Sequence, residues 1–173
     1  MKAAIVLAAL LTLASLTAPI ACAQPAFSGA SASVMNGFDQ GDLLIRWTET
    51  GLTAGQVITY NLAAEASAVY GCATKVALDQ PLCAEVDANP SRTIWIVEPK
   101  NSTRHTTTLD EPEPDSACVT WCQSNQGSLV LYRVNYQNVS ITDQTNDISF
   151  QLNGPFSYTF CKVGNLKSCP PPS

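Results

Sequence analysis

Residues 56–72 read QVITYNLAAEASAVYGC, and this stretch decides the fold class because it alternates along almost its whole length. One parity is mainly large or apolar: Ile58, Tyr60, Leu62, Ala64, Ala66, Ala68, Tyr70 and Cys72. The other parity holds the polar residues: Thr59, Asn61, Glu65 and Ser67. A period of two indicates extended backbone with one buried and one wet face. The stretch therefore predicts a long β-strand, and it identifies neither a ligand nor a reaction.

Shorter strands are predicted on both sides of this one. Alternating or β-branched segments place them at 42–48, 92–98, 104–109, 128–136, 148–152 and 156–160, with a weaker extended piece at 30–35. No segment after residue 23 has the period of an amphipathic helix. We therefore expect an all-β fold, a single antiparallel β-sandwich of seven to nine strands. A small closed β-barrel is the alternative.

The length of the central strand has a structural consequence. Seventeen extended residues would span roughly 55 Å, which is far longer than an ordinary strand. We therefore expect a bend or bulge in its alanine stretch.

The N-terminal residues predict an export signal. Lys2 gives a positive start, residues 3–16 are almost entirely apolar, and Ala21-Cys22-Ala23 matches an A-x-A cleavage pattern. The apolar run is shorter than the roughly 20 residues that a membrane-spanning helix needs. We therefore expect a signal peptide over residues 1–23, cut after Ala23.

The mature chain is then a single secreted domain over residues 24–173, with no later stretch long and apolar enough to span a membrane. The alternative is a lipid-anchored protein that keeps Cys22. Pro19 argues against this alternative, because a bacterial lipoprotein signal favours leucine at that position.

The charge balance excludes one class of partner. The chain has 9 Lys+Arg against 14 Asp+Glu, which gives a net charge of −5 and makes this an acidic protein. The basic residues are scattered singly, so no basic stripe could displace counterions from phosphates. We expect no nucleic-acid partner; an extracellular protein or a glycan is the expected kind of partner.

Three segments resemble a family of small secreted proteins of unknown function. They are Trp47–Leu52 (WTETGL), Ala66–Cys72 (ASAVYGC) and Tyr136–Asn146 (YQNVSITDQTN), and they follow the family's order across most of the mature chain. The resemblance implies an immunoglobulin-like β-sandwich and no known activity.

Six cysteines remain after cleavage, and an even number in an exported chain predicts three disulfides. The resemblance implies that Cys72 pairs with Cys122. Cys161 and Cys169 are close in sequence across a turn-like segment, which pairs them and leaves Cys83 with Cys118. A local Cys118–Cys122 bridge stays open as an alternative.

No catalytic constellation stands out. A Ser-His-Asp triad would need His105, the only histidine, and no G-x-S-x-G motif accompanies it. We expect His105 on the surface. A glycoside hydrolase needs two carboxylates beside a cleft, and four glutamates are candidates without a favoured pair: Glu49, Glu65, Glu85 and Glu98. We therefore expect no enzyme, and a hydrolase with an unrecognised carboxylate site is the alternative.

Metal ions and other cofactors are not expected. Neither the acidic loop Asp110–Asp115 nor the pair Asp143 and Asp147 matches an EF-hand loop, although both offer oxygen ligands for calcium. The Cys118-x3-Cys122 spacing lacks the second pair that a zinc site needs.

The three tryptophans raise the prospect of sugar binding, because flat aromatic faces stack on sugar rings. Trp47 and Trp95 lie inside predicted strands, so we expect both in the core. Trp121 is therefore the candidate ligand platform. Asn101 and Asn138 begin N-x-S/T sequons and are candidate glycosylation sites.

These observations favour a non-catalytic, disulfide-stabilised β-sandwich that acts as an extracellular binding or surface module. A carbohydrate or cell-wall binding module with exposed aromatics is the second hypothesis.

Overall fold

The computed structural model describes residues 23–36, 41–73, 84–100 and 102–160. This part of the chain forms nine strands and one helix. The bounds are β1 (Ala26–Val34), β2 (Leu43–Thr50), β3 (Val57–Ala73), β4 (Ala84–Ala88), β5 (Ser91–Val97), β6 (Ser102–Leu109), α1 (Ser116–Ser124), β7 (Ser128–Asp143), β8 (Ile148–Gln151) and β9 (Phe156–Thr159).

The strands form two antiparallel sheets that pack face to face, which confirms the predicted all-β sandwich. The smaller sheet has the order β1-β2-β6. The larger sheet has the order β4-β3-β7-β8, and in addition β5 pairs with β3 and β9 pairs with β7. Because β3 is so long, β4 pairs with residues 66–70 and β5 with residues 57–63 of the same strand.

The alternation of β3 sets the core. Its inward residues are all buried, as predicted: Ile58, Tyr60, Leu62, Ala64, Ala66, Ala68, Tyr70 and Cys72. The register against β7 shifts between Ala63 and Glu65, so the expected bulge does lie in the alanine stretch. A second shift follows between Val69 and Tyr70.

The structure corrects the expectation of a chain without a helix. Asp115 caps the N-terminus of α1 by accepting a hydrogen bond from the Cys118 amide at 2.6 Å. The helix buries only Cys118 and Cys122, so it has no wide apolar stripe that periodicity could detect. The short strand β4 is a further difference, since it lies between the predicted strands 56–72 and 92–98, where no strand was expected.

One disulfide is described in full. Cys72 at the end of β3 is bonded to Cys122 of α1, with 5.4 Å between the Cα atoms, as the resemblance implied. Cys118 is disulfide-bonded too, and not to Cys122, so the local alternative is wrong. Cys83, Cys161, Cys169, Asn101 and residues 1–22 lie outside the described residues, so the other two pairings and the signal peptide stay predictions.

The Cys72–Cys122 bridge closes a loop with a sequence separation of 50 residues. Replacing both cysteines by alanine should lower the free energy of unfolding by about 4 kcal/mol, because the unfolded chain regains the entropy of that loop. Urea denaturation of the oxidised protein measures this change. The exposed helix residue Gln123, changed to alanine, is the control. A loss of less than about 1 kcal/mol in the double variant would show that the bridge constrains little.

Candidate functional site

Titratable side chains gather inside the sandwich, at one end of the two sheets. We call this group the acidic core cluster: Glu49, Glu98, Asp143, His105 and Tyr60. The three carboxyl residues are 0% exposed, and His105 is 6% exposed. Such burial is unusual for carboxylates, which are almost never fully buried unless they are paired.

Both sheets contribute to the cluster through strand register. In the smaller sheet Glu49 of β2 lies opposite Thr103 of β6, and two residues away Trp47 lies opposite His105. In the larger sheet Tyr60 of β3 lies opposite Asp143 at the end of β7. The inward parity of four strands or strand ends therefore brings these side chains together.

Glu98 enters the cluster at the end of β5. Its amide donates a hydrogen bond to the Gln56 carbonyl at 2.9 Å, and its own carbonyl accepts one from the Gly55 amide at 2.7 Å. Gly55 has a φ of +82°, a conformation that suits glycine at this turn. The turn before β3 thus fixes the backbone that carries the Glu98 side chain inward.

Glu98 contacts two other members of the cluster. Its Oε1 lies 2.9 Å from His105 Nε2 and accepts a hydrogen bond from the Tyr60 hydroxyl at 3.3 Å. The imidazole contact is a close pairing without the direction of a good hydrogen bond, since His105 Nε2 has no well-aligned partner among the described residues. Glu98 Oε2 has none either.

Asp143 is held by the turn that follows β7. One carboxylate oxygen accepts hydrogen bonds from the Thr145 and Asn146 amides at 2.8 and 3.0 Å. The other accepts one from the Asn146 side-chain amide at 2.5 Å. Asp143 therefore stabilises its own turn, which is the ordinary role of an aspartate in an Asx turn.

Glu49 is the member of the cluster whose burial is least compensated by polar contacts. It lies beside Tyr60 and Asp143, yet neither of its carboxylate oxygens makes a well-directed hydrogen bond within the described part of the chain. Burial raises its pKa from 4.5 to about 7, the Tyr60 hydroxyl opposes that rise, and the nearby charges of Asp143 and Glu98 add to it. Glu49 is therefore protonated in part of the molecules at neutral pH.

The other members respond to the same dry environment. Burial lowers the pKa of His105 from 6.5, against the attraction of Glu98, so the imidazole tends to stay neutral. Burial also raises the pKa of the Tyr60 hydroxyl, and the contact of this hydroxyl with Glu49 raises that pKa further. Trp47 packs on both rings, with centroids 5.2 Å from Tyr60 and 5.2 Å from His105.

The cluster can take up and release protons, but a substrate could not reach it without opening the sandwich. Its carboxyl and imidazole groups do not line the surface groove beside Glu65 or the surface groove beside Arg46. Across the described ranges, no group of three or more His, Cys, Asp and Glu residues has an arrangement that could hold a metal ion. Protonation of the acidic core cluster changes the stability of the fold.

The burial of His105 overturns the expectation of a surface histidine. The segment Arg104–Leu109 is rich in threonine and looks exposed, and β6 is indeed an edge strand. However, β6 alternates, and His105 shares the parity of the buried Leu109. Its pairing opposite Trp47 then carries it into the core.

The tryptophans are distributed differently from the prediction. Trp47 is buried, as expected, whereas Trp95 is 72% exposed and the expectation that it lies in the core is wrong. Ile94 and Ile96 take the inward positions of β5, which turns Trp95 outward. Trp121 lies on α1 and is 38% exposed, so it presents less aromatic surface than Trp95.

Trp95 stands in a patch on the outer surface of the larger sheet, which we call the tryptophan face: Trp95, Val97, Val57, Thr59 and Thr93. In register, Trp95 lies opposite Thr59, and Val97 lies opposite Val57. Both valines are exposed as well. β5 is an edge strand that pairs with β3, and large nonpolar side chains of a sheet are normally found on its inner face.

The acidic loop has structural roles. Glu111 accepts hydrogen bonds from the Gly41 amide and from the Tyr70 hydroxyl. The Tyr70 hydroxyl also donates to the Pro112 carbonyl at 2.7 Å. With Asp115 at the helix cap, the loop is tied to the core.

The other predicted site residues do not join the acidic core cluster in a common site. Glu65 and Glu85 lie on the exposed surface, far in register from the buried Glu49 and Glu98. Asn138 is exposed and donates a hydrogen bond to Glu65 at 2.8 Å. Asp147 is exposed beside the buried Asp143 in the same turn.

Comparison of the chain with protein-family models, with curated proteins and with solved structures found no match in any of the three. Among the described residues, no helix has the length and apolar character that crossing a membrane requires.

Glu49 gives the fold a specific pH dependence. Its folded-state pKa of about 7 lies above the ordinary 4.5, so its contribution to stability is fully present below 4.5 and is lost as the pH rises through 7. Glu49→Gln removes this loss. The variant should gain about 2–3 kcal/mol of unfolding free energy relative to the wild type between pH 5 and pH 8.

Urea denaturation at the two pH values measures this difference, and Glu85→Gln on the exposed side of β4 is the matched control. His105 acts in the opposite direction, since its lowered pKa means that stability is lost as the pH falls below 6.5. Its contribution is common to the wild type and Glu49→Gln, so the comparison isolates Glu49. Equal pH dependence of the wild type and Glu49→Gln would contradict this account.

Proposed function

We propose that this chain is a secreted, non-catalytic β-sandwich that works as an extracellular binding or surface module. The predicted export signal, the disulfides and the two-sheet scaffold support this proposal. The observation that carries it is the exposure of Trp95 on the tryptophan face. The resemblance to secreted proteins with an immunoglobulin-like pattern agrees with this function and adds no activity.

An exposed tryptophan in mid-strand favours contact with a partner. Burying its indole ring against another molecule would remove a large apolar area from water, and tryptophan is enriched among residues that dominate binding energy. Val57 and Val97 extend the same apolar patch. A surface patch of this kind is typical of an interaction site.

Carbohydrate is the class of ligand that this face favours. A sugar ring stacks on an indole through its C–H face, while its hydroxyl groups need hydrogen-bonding neighbours. Thr59 and Thr93 lie on the tryptophan face itself. Further along the same surface, the hydroxyl groups of Thr142 and Ser149 lie 3.0 Å apart. The platform is therefore assigned to Trp95, and Trp121 is the weaker candidate.

A glycan array with the purified mature protein tests this function. Trp95→Ala should weaken binding to the recognised glycan by about thirtyfold, as expected for loss of a residue that dominates binding. Trp121→Ala is the matched control and should change the affinity less than twofold. Both residues are exposed, so neither variant should unfold the protein.

Two results would contradict the proposal. Equal loss in the two variants, or unchanged binding in Trp95→Ala, would remove the tryptophan face as the site. Hydrolysis of the glycan by the wild type, abolished in a single folded Glu→Gln variant, would favour the hydrolase alternative.

A further inference from the structure

The outer surface of the three-stranded sheet has an unusual charge distribution. Its outward positions alternate with the buried residues of β1, β2 and β6, and no carboxylate occupies any of them within the described strands. Eight of these positions are serine or threonine: Ser28, Ser31, Ser33, Thr48, Thr50, Ser102, Thr106 and Thr108. In a chain with 14 Asp+Glu, such a face is set apart by its composition.

Two arginines stand in the middle of this surface, which we call the arginine face. Arg46 of β2 pairs with Thr106, and Arg104 of β6 pairs with Thr48, so the two arginines are diagonal neighbours. Diagonal partners on one face lie roughly 7–8 Å apart. Both side chains are exposed, and neither is within ion-pair distance of a carboxylate among the described residues.

A shallow groove joins the two guanidinium groups. It has a volume of about 370 Å³ and is lined by Arg46, Arg104, Thr48, Ser31 and Gly29, with neighbouring backbone. The strand register shifts between Phe27 and Gly29, and the space above Gly29 is open. The bulge of β1 therefore leaves room for a ligand beside the arginines.

The outer surface of the larger sheet, in contrast, carries carboxylates. On the larger sheet, Glu65 and Asp87 line a groove together with amide side chains such as Asn89. The outward positions of β1, β2 and β6 therefore offer an anion cations and hydroxyl groups, with no carboxylate among these described strand residues.

We propose that the arginine face binds a polyanionic glycan through its carboxylate groups. The planar guanidinium fork matches a carboxylate with two parallel hydrogen bonds, and the surrounding hydroxyl groups match those of a sugar chain. Two adjacent arginines suit a chain with repeated anionic groups better than a single anion. Most outward positions of the described strands here are serine or threonine, which favours a glycan over an acidic peptide.

This site is separate from the tryptophan face, because the two lie on different sheets. The two proposals can therefore fail independently. Trp95→Ala should leave binding of the polyanion unchanged, whereas loss of the arginines should leave binding of a neutral glycan at Trp95 unchanged.

Affinity measurements with polygalacturonate as the ligand and dextran as the neutral control test the proposal. At low ionic strength the wild type should bind polygalacturonate and not dextran. The double variant Arg46→Gln/Arg104→Gln should weaken binding at least tenfold, because each substitution removes one charge-assisted hydrogen-bonding contact. Arg133→Gln, which removes one exposed arginine from β7, should change binding less than twofold, and added salt should weaken the wild type far more than the double variant.

Several results would overturn the proposal. They are the absence of polygalacturonate binding by the folded wild type, an equal loss in Arg133→Gln, and binding of poly-glutamate as tight as that of polygalacturonate. Sedimentation would reveal one more contrary outcome, self-association at low salt that the double variant abolishes. That result would assign the arginine face to the acidic surface of a second copy.

Discussion

The two-residue alternation of β3 is the constraint on which the rest of the structure depends. This strand pairs with β4, β5 and β7, so its register fixes the register of most of the larger sheet. A slip by one residue would exchange its buried and exposed faces, and would move Tyr60 and Tyr70 into water. The buried parity of β3 therefore specifies the sandwich, and the Cys72–Cys122 bridge fastens its end.

The same rule explains why charged groups lie inside the protein. Once β2 pairs with β6 and buries Trp47, parity also carries Glu49 and His105 inward. Polar contacts offset part of the unfavourable burial: Asp143 accepts three hydrogen bonds from its own turn, and Glu98 contacts His105 and Tyr60. The burial of the Glu49 carboxylate is compensated least. Its pKa is therefore raised, and the carboxyl group is protonated more readily. The cluster is thus a consequence of strand register that makes stability depend on pH.

Strand pattern made the fold predictable, and tertiary context decided what the pattern could not. The alternation of β3 predicts the all-β fold class, the buried face of the strand and its bulge, because these follow from local geometry. The sequence pattern does not predict α1, because this helix buries only two cysteines, or β4, because a strand of five residues carries little signal. The family resemblance, the signal peptide and two of the disulfide pairings remain predictions.

The candidate sites were less predictable for a specific reason. A strand has two faces, and residue type alone does not say which face a tryptophan or a histidine occupies. Trp95 was expected inside because it is large and apolar, and His105 outside because its neighbours are threonines. In both cases the parity of nearby apolar residues indicates the correct face. Ile94 and Ile96 flank Trp95 and point inward, and Leu109 shares the buried parity of His105.

Each sheet turns to water the residues that alternate with its buried ones, and these outward residues differ between the two sheets. One face presents Trp95 beside Val97 and opposite Thr59, and the other presents Arg46 and Arg104 among hydroxyl groups. Solution NMR of the mature protein tests the register behind both. Backbone contacts from Tyr60 to Asp143 and to Ile94 are the predicted result. Helical contacts along residues 57–73, or pairings displaced by one residue, would contradict it.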